Sequence, residues 1–223
     1  MASAIGQVLG EAVGVALSPI PIIAVVLMLI TPKARANGPA FVIGWLVGLG
    51  ILGVVVLLIA GPSGASDHGS QSTGTNWLLV VIGLLVLRLA VREWRARPRA
   101  GEDPPLPKWV SAVEGFTPVK SLAAGMVLVA ANPKNLLLAL SAGATIAATN
   151  IAGGQQAIAY AVFALIGTIG VAIPVVIYFA LGPRAPRLLE SLRSWMAHNN
   201  AVIMSVLFLV IGAKILGQGI GGF

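Results

Sequence analysis

Long apolar stretches separated by short polar connections dominate the chain. Six of them hold about 20 or more mostly apolar residues, the length that a helix needs to cross a bilayer. The pattern therefore predicts an all-α integral membrane protein with six transmembrane helices. The six stretches are 4–30, 40–60, 77–95, 119–148, 156–181 and 200–219.

The composition excludes a soluble domain. Hydrophobic residues make up 57% of the 223 positions and charged residues 9%, and the mean hydropathy is +0.96. Soluble domains carry roughly 25% charged residues, so this chain lacks the polar side chains to cover a water-exposed surface. It also contains no cysteine, which excludes disulfides, thiolate metal sites and thiol-relay redox chemistry.

Basic residues occupy alternate connections only. Two lie between the first and second apolar stretches, six between the third and fourth, and three between the fifth and sixth. The amino terminus, the 61–76 and 149–155 loops and the carboxyl tail hold none. Because basic loops stay on the cytoplasmic side, the pattern predicts that both termini lie outside. The basic residues in these connections are Lys33, Arg35, Arg92, Arg95, Arg97, Arg99, Lys108, Lys120, Arg184, Arg187 and Arg193.

The apolar stretches of the two halves of the chain are interrupted at matching positions. Ser18-Pro19 interrupts the first stretch and Asn132-Pro133 the fourth, an offset of 114 residues. Three spans per half would make equivalent segments cross in opposite directions, as in many secondary transporters. We therefore predict two inverted three-helix repeats whose first helices (the first and fourth of the chain) are broken at proline. Residues 1–97 form the first repeat, 98–118 a cytoplasmic linker with an interfacial helix, and 119–223 the second repeat, all within one membrane domain.

The two breaks predict a polar site within the membrane. Proline removes a backbone hydrogen bond, and in hydrocarbon a freed carbonyl must find another partner. The carbonyls expected to be freed are those of Val15, Leu17 and Val129, with polar side chains close by. The alternative is a pair of proline kinks without a binding role. The candidate substrate-binding residues are Ser18, Pro19, Pro21, Asn132, Pro133, Lys134 and Asn135.

Four ionisable residues lie inside the predicted spans: Glu11, Arg88, Lys134 and Lys214. Lys134 is about 15 residues, or roughly 22 Å, from either end of its stretch, so it must be paired or face water. Glu11 is a candidate to pair with Lys134 or to carry a coupling proton, or else it lies near the outer interface. Arg88 and Lys214 are candidates for charge pairs, or they reach the headgroups. Three cations and one acid favour an anionic or zwitterionic ligand.

The sequence carries no signature of catalysis. His68 and His198 lie in separate loops without metal-ligand spacing, and there is neither a nucleophile elbow nor a phosphate-binding glycine loop. We therefore predict no enzymatic activity, no metal and no other cofactor. The topology already explains the basic inner face, so the charge predicts no nucleic-acid partner.

The two broken-helix motifs resemble those of a known family. Residues 16–22 (Ala-Leu-Ser-Pro-Ile-Pro-Ile) and 131–136 (Ala-Asn-Pro-Lys-Asn-Leu) are similar to motifs of the actinobacterial peptidoglycolipid addressing proteins. These include the sulfolipid addressing protein and belong to the lysine-exporter superfamily. The resemblance extends over nearly all 223 residues. It implies a multi-pass protein of the bacterial plasma (inner) membrane that helps to move envelope glycolipids or peptidolipids.

Three functions are compatible with these observations. The first is a transporter that aids lipid export through a polar site at the broken helices, with membrane lipids and an envelope lipid as its partners. The second is an exporter of amino acids or cations, as in other members of the superfamily. The third is a non-transporting scaffold for larger lipid export pumps. Faces of small residues permit a homodimer but do not require one.

Overall fold

The protein is helical throughout the part of the chain that can be described. A computed structural model describes residues 1–60, 73–97, 113, 115–147, 149 and 151–221, and none of these lies in a strand. The predicted all-α class is therefore confirmed. A short 3-10 turn, Gly182–Arg184, joins the last two helices. The helices are α1 (Ala2–Ala16), α2 (Pro19–Leu29), α3 (Ala34–Ala60), α4 (Thr73–Arg95), α5 (Pro118–Ala131), α6 (Pro133–Ala147), α7 (Gly153–Leu181) and α8 (Ala185–Gly221).

Both predicted breaks occur at their prolines. The axes of α1 and α2 differ by 51°, and those of α5 and α6 by 75°. Pro19 and Pro133 are the first residues of α2 and α6, where the missing amide hydrogen would have had no helical partner. The residues before them have nearly the same extended backbone, with φ −93° and ψ 106° at Ser18 and φ −90° and ψ 108° at Asn132. These φ and ψ values are those expected of a residue that precedes proline.

The helices are long and apolar enough for a membrane protein. Within the described residues, Ala34–Ile59 and the stretch Gly153–Gly217 can each cross a bilayer by length and composition, and the number rises to four if each bent pair is one span. Large apolar side chains also remain exposed, among them Leu58 at 70% and Val176 at 63%. Hydrocarbon is the environment that accepts such a surface. The count of six spans remains a prediction.

The helices form two compact units, of which the first comprises Met1–Ser66 and Leu106–Ser194. Within it, α3 and α5 run parallel with their backbones in contact. A Cβ added to Gly44 would lie 2.0 Å from the carbonyl oxygen of Leu122, and one added to Gly48 would lie 3.0 Å from the Cα of Met126. Only glycine permits so close an approach. The tight contact fixes the register of α3 against α5.

Helix α7 runs antiparallel to α3 in the same unit. The indole nitrogen of Trp45 donates a hydrogen bond to the carbonyl oxygen of Gly167 at 3.3 Å. Towards the other end of α3, a Cβ added to Gly53 would lie 2.2 Å from the Tyr160 ring. A later residue of α3 therefore contacts an earlier residue of α7, as is expected of two antiparallel helices. Helices α3 and α7 together form the support on which the broken helices pack.

The second compact unit comprises Asp67–Pro105 and Trp195–Phe223. Here α4 packs against the later part of α8, with Gly83 against Leu216 and Gly212 against Leu87. The two units do not follow the predicted halves, because the first unit takes helices from both. The division into repeats at 1–97 and 119–223 remains a prediction. Most of the predicted linker at 98–118, including most of its interfacial helix, lies outside the described residues.

Candidate functional site

The two helix breaks meet in the first compact unit. The Ser18 hydroxyl donates a hydrogen bond to Oδ1 of Asn135 at 2.6 Å, across 117 positions of sequence. Both side chains are buried, at 1% and 0% exposure. A buried polar group without a partner is costly, and each of these two side chains supplies a partner for the other. The hydrogen bond joins the start of α2 to the start of α6.

Lys134 makes a second connection between the breaks. Its ammonium donates to the carbonyl oxygen of Gly14 at 2.8 Å, and the side chain is 2% exposed. If α1 continued, that carbonyl would accept from the amide of Ser18, which instead precedes α2 in an extended conformation. The sequence predicted freed carbonyls at Val15, Leu17 and Val129, whereas the carbonyl that the lysine binds is that of Gly14. We call Ser18, Lys134, Asn135 and the Gly14 carbonyl the polar cluster.

Asn132 positions the lysine. Its Oδ1 accepts a hydrogen bond from the backbone amide of Lys134 at 3.1 Å, which caps the first turn of α6. The cap holds the start of α6 so that the side chains of Lys134 and Asn135 reach Gly14 of α1 and Ser18. The prolines differ in burial, since Pro19 and Pro21 are buried and Pro133 is exposed.

The polar cluster holds more hydrogen-bond donors than acceptors. An ammonium has three donor hydrogens, and the described residues give that of Lys134 one acceptor, the Gly14 carbonyl. The Nδ2 of Asn135 is buried with no hydrogen-bond partner among the described residues. Both donors lie in the first turn of α6, where the helix dipole is positive. Spare donors at a positive helix end suit an anionic or oxygen-rich ligand.

The other candidate charges occupy different places. Glu11 is 4% exposed and lies on α1, three residues before Gly14. Its predicted pairing with Lys134 remains a prediction. Arg88 and Lys214 are exposed and lie in the second compact unit, on α4 and α8. All members of the polar cluster lie in the first unit.

The sequence as a whole matches the profile of one protein family. That family is described as "Sap, sulfolipid-1-addressing protein", and the match covers residues 8–221. The chain belongs to this family. The resemblance seen in the two broken-helix motifs is thereby confirmed. No curated protein and no solved structure matches the chain.

Two glycines of α7 pack against the first break, and sequence reasoning missed both of them. A Cβ added to Gly170 on α7 would lie 1.9 Å from the carbonyl oxygen of Ala16, the last residue of α1. A Cβ added to Gly167 would lie 3.1 Å from Val15. The spacing of these glycines on one face of α7 was the available signal. Their absent side chains let the broken helix lie directly on α7.

The described residues offer no metal site of the usual kind. Among them, no group of three or more His, Cys, Asp or Glu side chains lies close enough together to hold a metal ion. The groups that the polar cluster offers to a ligand are hydrogen-bond donors, among them the Lys134 side chain and the Asn135 amide.

Proposed function

We propose that the chain is an inner-membrane transporter that aids export of a cell-envelope glycolipid or peptidolipid, whose polar headgroup binds at the polar cluster. The observation that carries the proposal is the direct contact between the two broken helices through Ser18, Asn135 and Lys134. A description of the family as sulfolipid-addressing supports a lipid with an anionic headgroup. No enzymatic step and no cofactor form part of the proposal.

The charge of Lys134 favours an anion over a cation. A lysine that is 2% exposed has lost most of its solvation, so an anion close to it is attracted more strongly than it would be in water. One neutral carbonyl does not cancel that charge. Intramembrane charges of this kind commonly mark substrate pathways. The spare donors of Asn135 and Lys134 supply hydrogen bonds to the same headgroup.

Packing in the first unit supports the inverted repeat. Val15 and Val129 are 114 positions apart, and each lies three residues before a break residue, Ser18 or Asn132. A Cβ on Gly167 would meet Val15 at 3.1 Å, and one on Gly48 would meet Val129 at 3.2 Å. In each case the first helix of one half packs against the long second helix of the other half. Swapped, equivalent contacts are what an inverted repeat predicts.

Helix directions support the proposed topology of six spans with both termini outside the plasma membrane. If successive spans cross the membrane in alternating directions, the second and fourth spans, which contain α3 and α5, run parallel. The fifth span, which contains α7, then runs antiparallel to the second. The contacts of α3 with α5 and with α7 have these directions. The basic residues of the connections before α3 and α5 favour a cytoplasmic location for the starting ends of both helices.

The deciding experiment replaces the buried lysine. Lys134→Met keeps most of the length of the unbranched side chain but removes its charge and its hydrogen bond. We expect the fraction of envelope glycolipid at the cell surface to fall by about tenfold or more, because a charge-assisted hydrogen bond contributes about 1.5–3 kcal/mol. The matched control is Lys120→Met, since Lys120 is exposed on α5 outside the polar cluster. Mass spectrometry of surface and total lipid in a complemented deletion strain measures the effect.

The same strains separate the alternatives. An unchanged surface lipid fraction in a normally expressed Lys134→Met strain would remove the polar cluster from the mechanism. Loss of amino-acid or cation efflux with normal surface lipid would favour a small-solute exporter. A scaffold predicts stable co-purification with larger export pumps and no lipid movement by the purified protein in vesicles. Transport by purified protein, lost in Lys134→Met, supports the proposal.

A further inference from the structure

The polar cluster is closed in this structure. Ser18, Lys134 and Asn135 are 1%, 2% and 0% exposed, so their polar atoms face other parts of the protein. A headgroup that binds there must first pass between the helices that cover the cluster. A contact between these helices must therefore open, and the contacts differ in what holds them together.

Two contacts of the first compact unit join backbone to backbone. A Cβ on Gly170 of α7 would lie 1.9 Å from the carbonyl oxygen of Ala16 on α1. A Cβ on Gly44 of α3 would lie 2.0 Å from the carbonyl oxygen of Leu122 on α5. Backbones that fit this closely leave no side chain that can rotate to make room. The contacts of α1 with α7 and of α3 with α5 are thus the rigid ones.

Helix α6 is joined to α1 by the ends of flexible side chains. The Lys134 ammonium donates to the Gly14 carbonyl at 2.8 Å. A Cβ added to Gly14 would meet a methyl carbon of Leu138 at 2.9 Å. Lysine and leucine side chains can change rotamer, so α6 can leave α1 without the separation of two tightly packed backbones. The movement breaks the hydrogen bond of Lys134 and the apolar contact of Leu138.

Helix α6 also begins at a hinge. Asn132 precedes Pro133 in an extended conformation, and the axes of α5 and α6 differ by 75°. Proline lacks the amide hydrogen that would otherwise tie the start of α6 to α5. The side chain of Asn132 accepts from the amide of Lys134 and therefore moves with α6. The hydrogen bond between Ser18 and Asn135 lies next to the hinge, where a rotation of α6 displaces atoms least.

Buried polar atoms at the faces of α6 lower the cost of opening. The Nδ2 of Asn135 has no hydrogen-bond partner among the described residues, and neither has the hydroxyl of Tyr160 on α7. The ring of Tyr160 lies 3.5 Å from the place that a Cβ on Gly143 of α6 would take. An unpaired buried polar group is destabilising, and it gains a water or ligand partner when its surface opens. The closed contact of α6 is thus less stable than a fully paired one.

We propose that α6 is the gate of the polar cluster and that an anionic headgroup opens it by taking Lys134 from the Gly14 carbonyl. This rests on the proposed function, to which it adds the movement that admits the lipid. An anion attracts a desolvated ammonium more strongly than a neutral carbonyl does. The open position binds the headgroup and the closed position does not, so the lipid shifts the equilibrium towards opening. Helix α6 then pivots at Asn132 away from α1, while α1 stays on α7.

The first test measures the distance between α1 and α6 by double electron–electron resonance of spin labels. The chain has no cysteine, so Gly10→Cys on α1 and Ala144→Cys on α6 place labels at two exposed positions of the full chain. The matched control pair is Ile43→Cys on α3 with Val127→Cys on α5, both exposed. The purified protein is reconstituted in phosphatidylcholine vesicles, with either sulfated galactosylceramide or uncharged galactosylceramide as the probe.

We expect the sulfated lipid to lengthen the α1–α6 label distance by about 3 Å or more, because an inserted oxygen needs a hydrogen-bond distance of that size. The uncharged lipid should not change this distance, and the control pair should respond to neither lipid. In Lys134→Met the α1–α6 distance should no longer respond to the sulfated lipid. An unchanged α1–α6 distance with the sulfated lipid would overturn the gate. An equal response to the uncharged lipid would overturn it too.

The second test locks α6 to α3 with a disulfide. A Cβ added to Gly143 would lie 2.9 Å from the Cβ of Val56 on α3, and a disulfide joins Cβ atoms that are about 3.5–4.5 Å apart. Val56→Cys with Gly143→Cys therefore needs only a small adjustment to form the bond. Gly143 lies about 16 Å along α6 from the hinge at Asn132, so the bond holds the far end of the gate. The matched control is Val15→Cys with Gly167→Cys, which ties α1 to α7 and whose Cβ atoms would lie 3.4 Å apart.

We expect oxidation of the α3–α6 pair to weaken binding of the sulfated lipid about tenfold or more, since the open position is no longer populated. Native mass spectrometry of the purified protein measures the binding. Dithiothreitol should restore it, and the oxidised α1–α7 pair should bind like the wild type. Full binding by the oxidised α3–α6 pair, or an equal loss in the α1–α7 pair, would overturn the gate.

Failure of this proposal is distinguishable from failure of the proposed function. Normal surface lipid in Lys134→Met contradicts the polar cluster as the headgroup site, whatever the label distances show. Loss of surface lipid in Lys134→Met, together with full lipid binding by the oxidised α3–α6 pair, contradicts the gate alone. Both proposals stand only if each set of variants affects its own readout.

Discussion

The contact between α7 and the first break leads to a sharp prediction for Gly170. A Cβ added there would lie 1.9 Å from the carbonyl oxygen of Ala16, and real Cβ contacts are essentially never shorter than 3.0 Å. The two backbones must therefore separate by at least about 1 Å in Gly170→Ala. No side-chain rotation can relieve the clash, because the oxygen belongs to the backbone.

The expected change in the stability of Gly170→Ala is the sum of two opposing effects. Alanine in place of glycine favours a helix by about 0.8–1 kcal/mol. Overpacking of a tightly packed contact costs about 1–3 kcal/mol, and the rigid carbonyl places Gly170→Ala at the upper end. We expect a net loss of about 1–2 kcal/mol. The control is Gly10→Ala on α1, where a Cβ meets nothing within 4 Å and the propensity gain acts alone.

Thermal unfolding in detergent micelles, followed by tryptophan emission, measures both variants. Trp45 is a suitable reporter because it is buried and donates to the carbonyl of Gly167, one turn from Gly170. For a chain of this size, about 2–4 °C corresponds to 1 kcal/mol, so the midpoint of Gly170→Ala should fall by about 2–8 °C. The midpoint of Gly10→Ala should not fall. A Gly170→Ala midpoint at or above wild type would refute the contact between α7 and the break.

Three further predictions concern single polar atoms. A double-mutant cycle of Ser18→Ala and Asn135→Leu, measured by thermal unfolding, should give a coupling energy of about 0.5–1.5 kcal/mol. The reason is the buried hydrogen bond that the two side chains share. If the stability losses of the two single variants simply add in the double variant, that bond is contradicted. Asn132→Ala should lower the stability by about 0.5–2 kcal/mol, because the side-chain oxygen of Asn132 caps α6. Asn132→Asp retains such an oxygen and should keep most of the wild-type stability. Equal thermal midpoints for the two variants would argue against the cap. Tyr160→Phe should leave the thermal midpoint of the lipid-free protein unchanged or raise it, because its hydroxyl has no partner among the described residues. A loss of stability of more than about 1 kcal/mol in Tyr160→Phe would mean that the hydroxyl is hydrogen-bonded.

Proline alone does not predict where a helix breaks. Pro174 lies inside α7 and Pro39 inside α3, and both helices continue past them. At Pro19 and Pro133, by contrast, a new helix begins. The residue before each of these two is polar, Ser18 or Asn132, and forms a side-chain hydrogen bond next to the break. A polar residue before proline was thus the informative sequence feature.

The sequence by itself determined the class of the protein and the places where its helices are interrupted. A long apolar run in hydrocarbon must satisfy its own backbone, so it becomes a helix whatever lies around it. A polar residue followed by proline stops such a helix locally. The family match agrees, because it follows the same linear pattern over residues 8–221.

Only the tertiary structure decided which groups meet. Lys134 was recognisable as a buried cation, but its partner is the carbonyl of Gly14, 120 positions away. The contact of Gly170 with Ala16 is likewise set by how closely two backbones approach. Hydrophobicity and proline act over one or two helical turns, whereas these contacts depend on the packing of whole helices. The polar cluster therefore exists only once the two broken helices lie against each other.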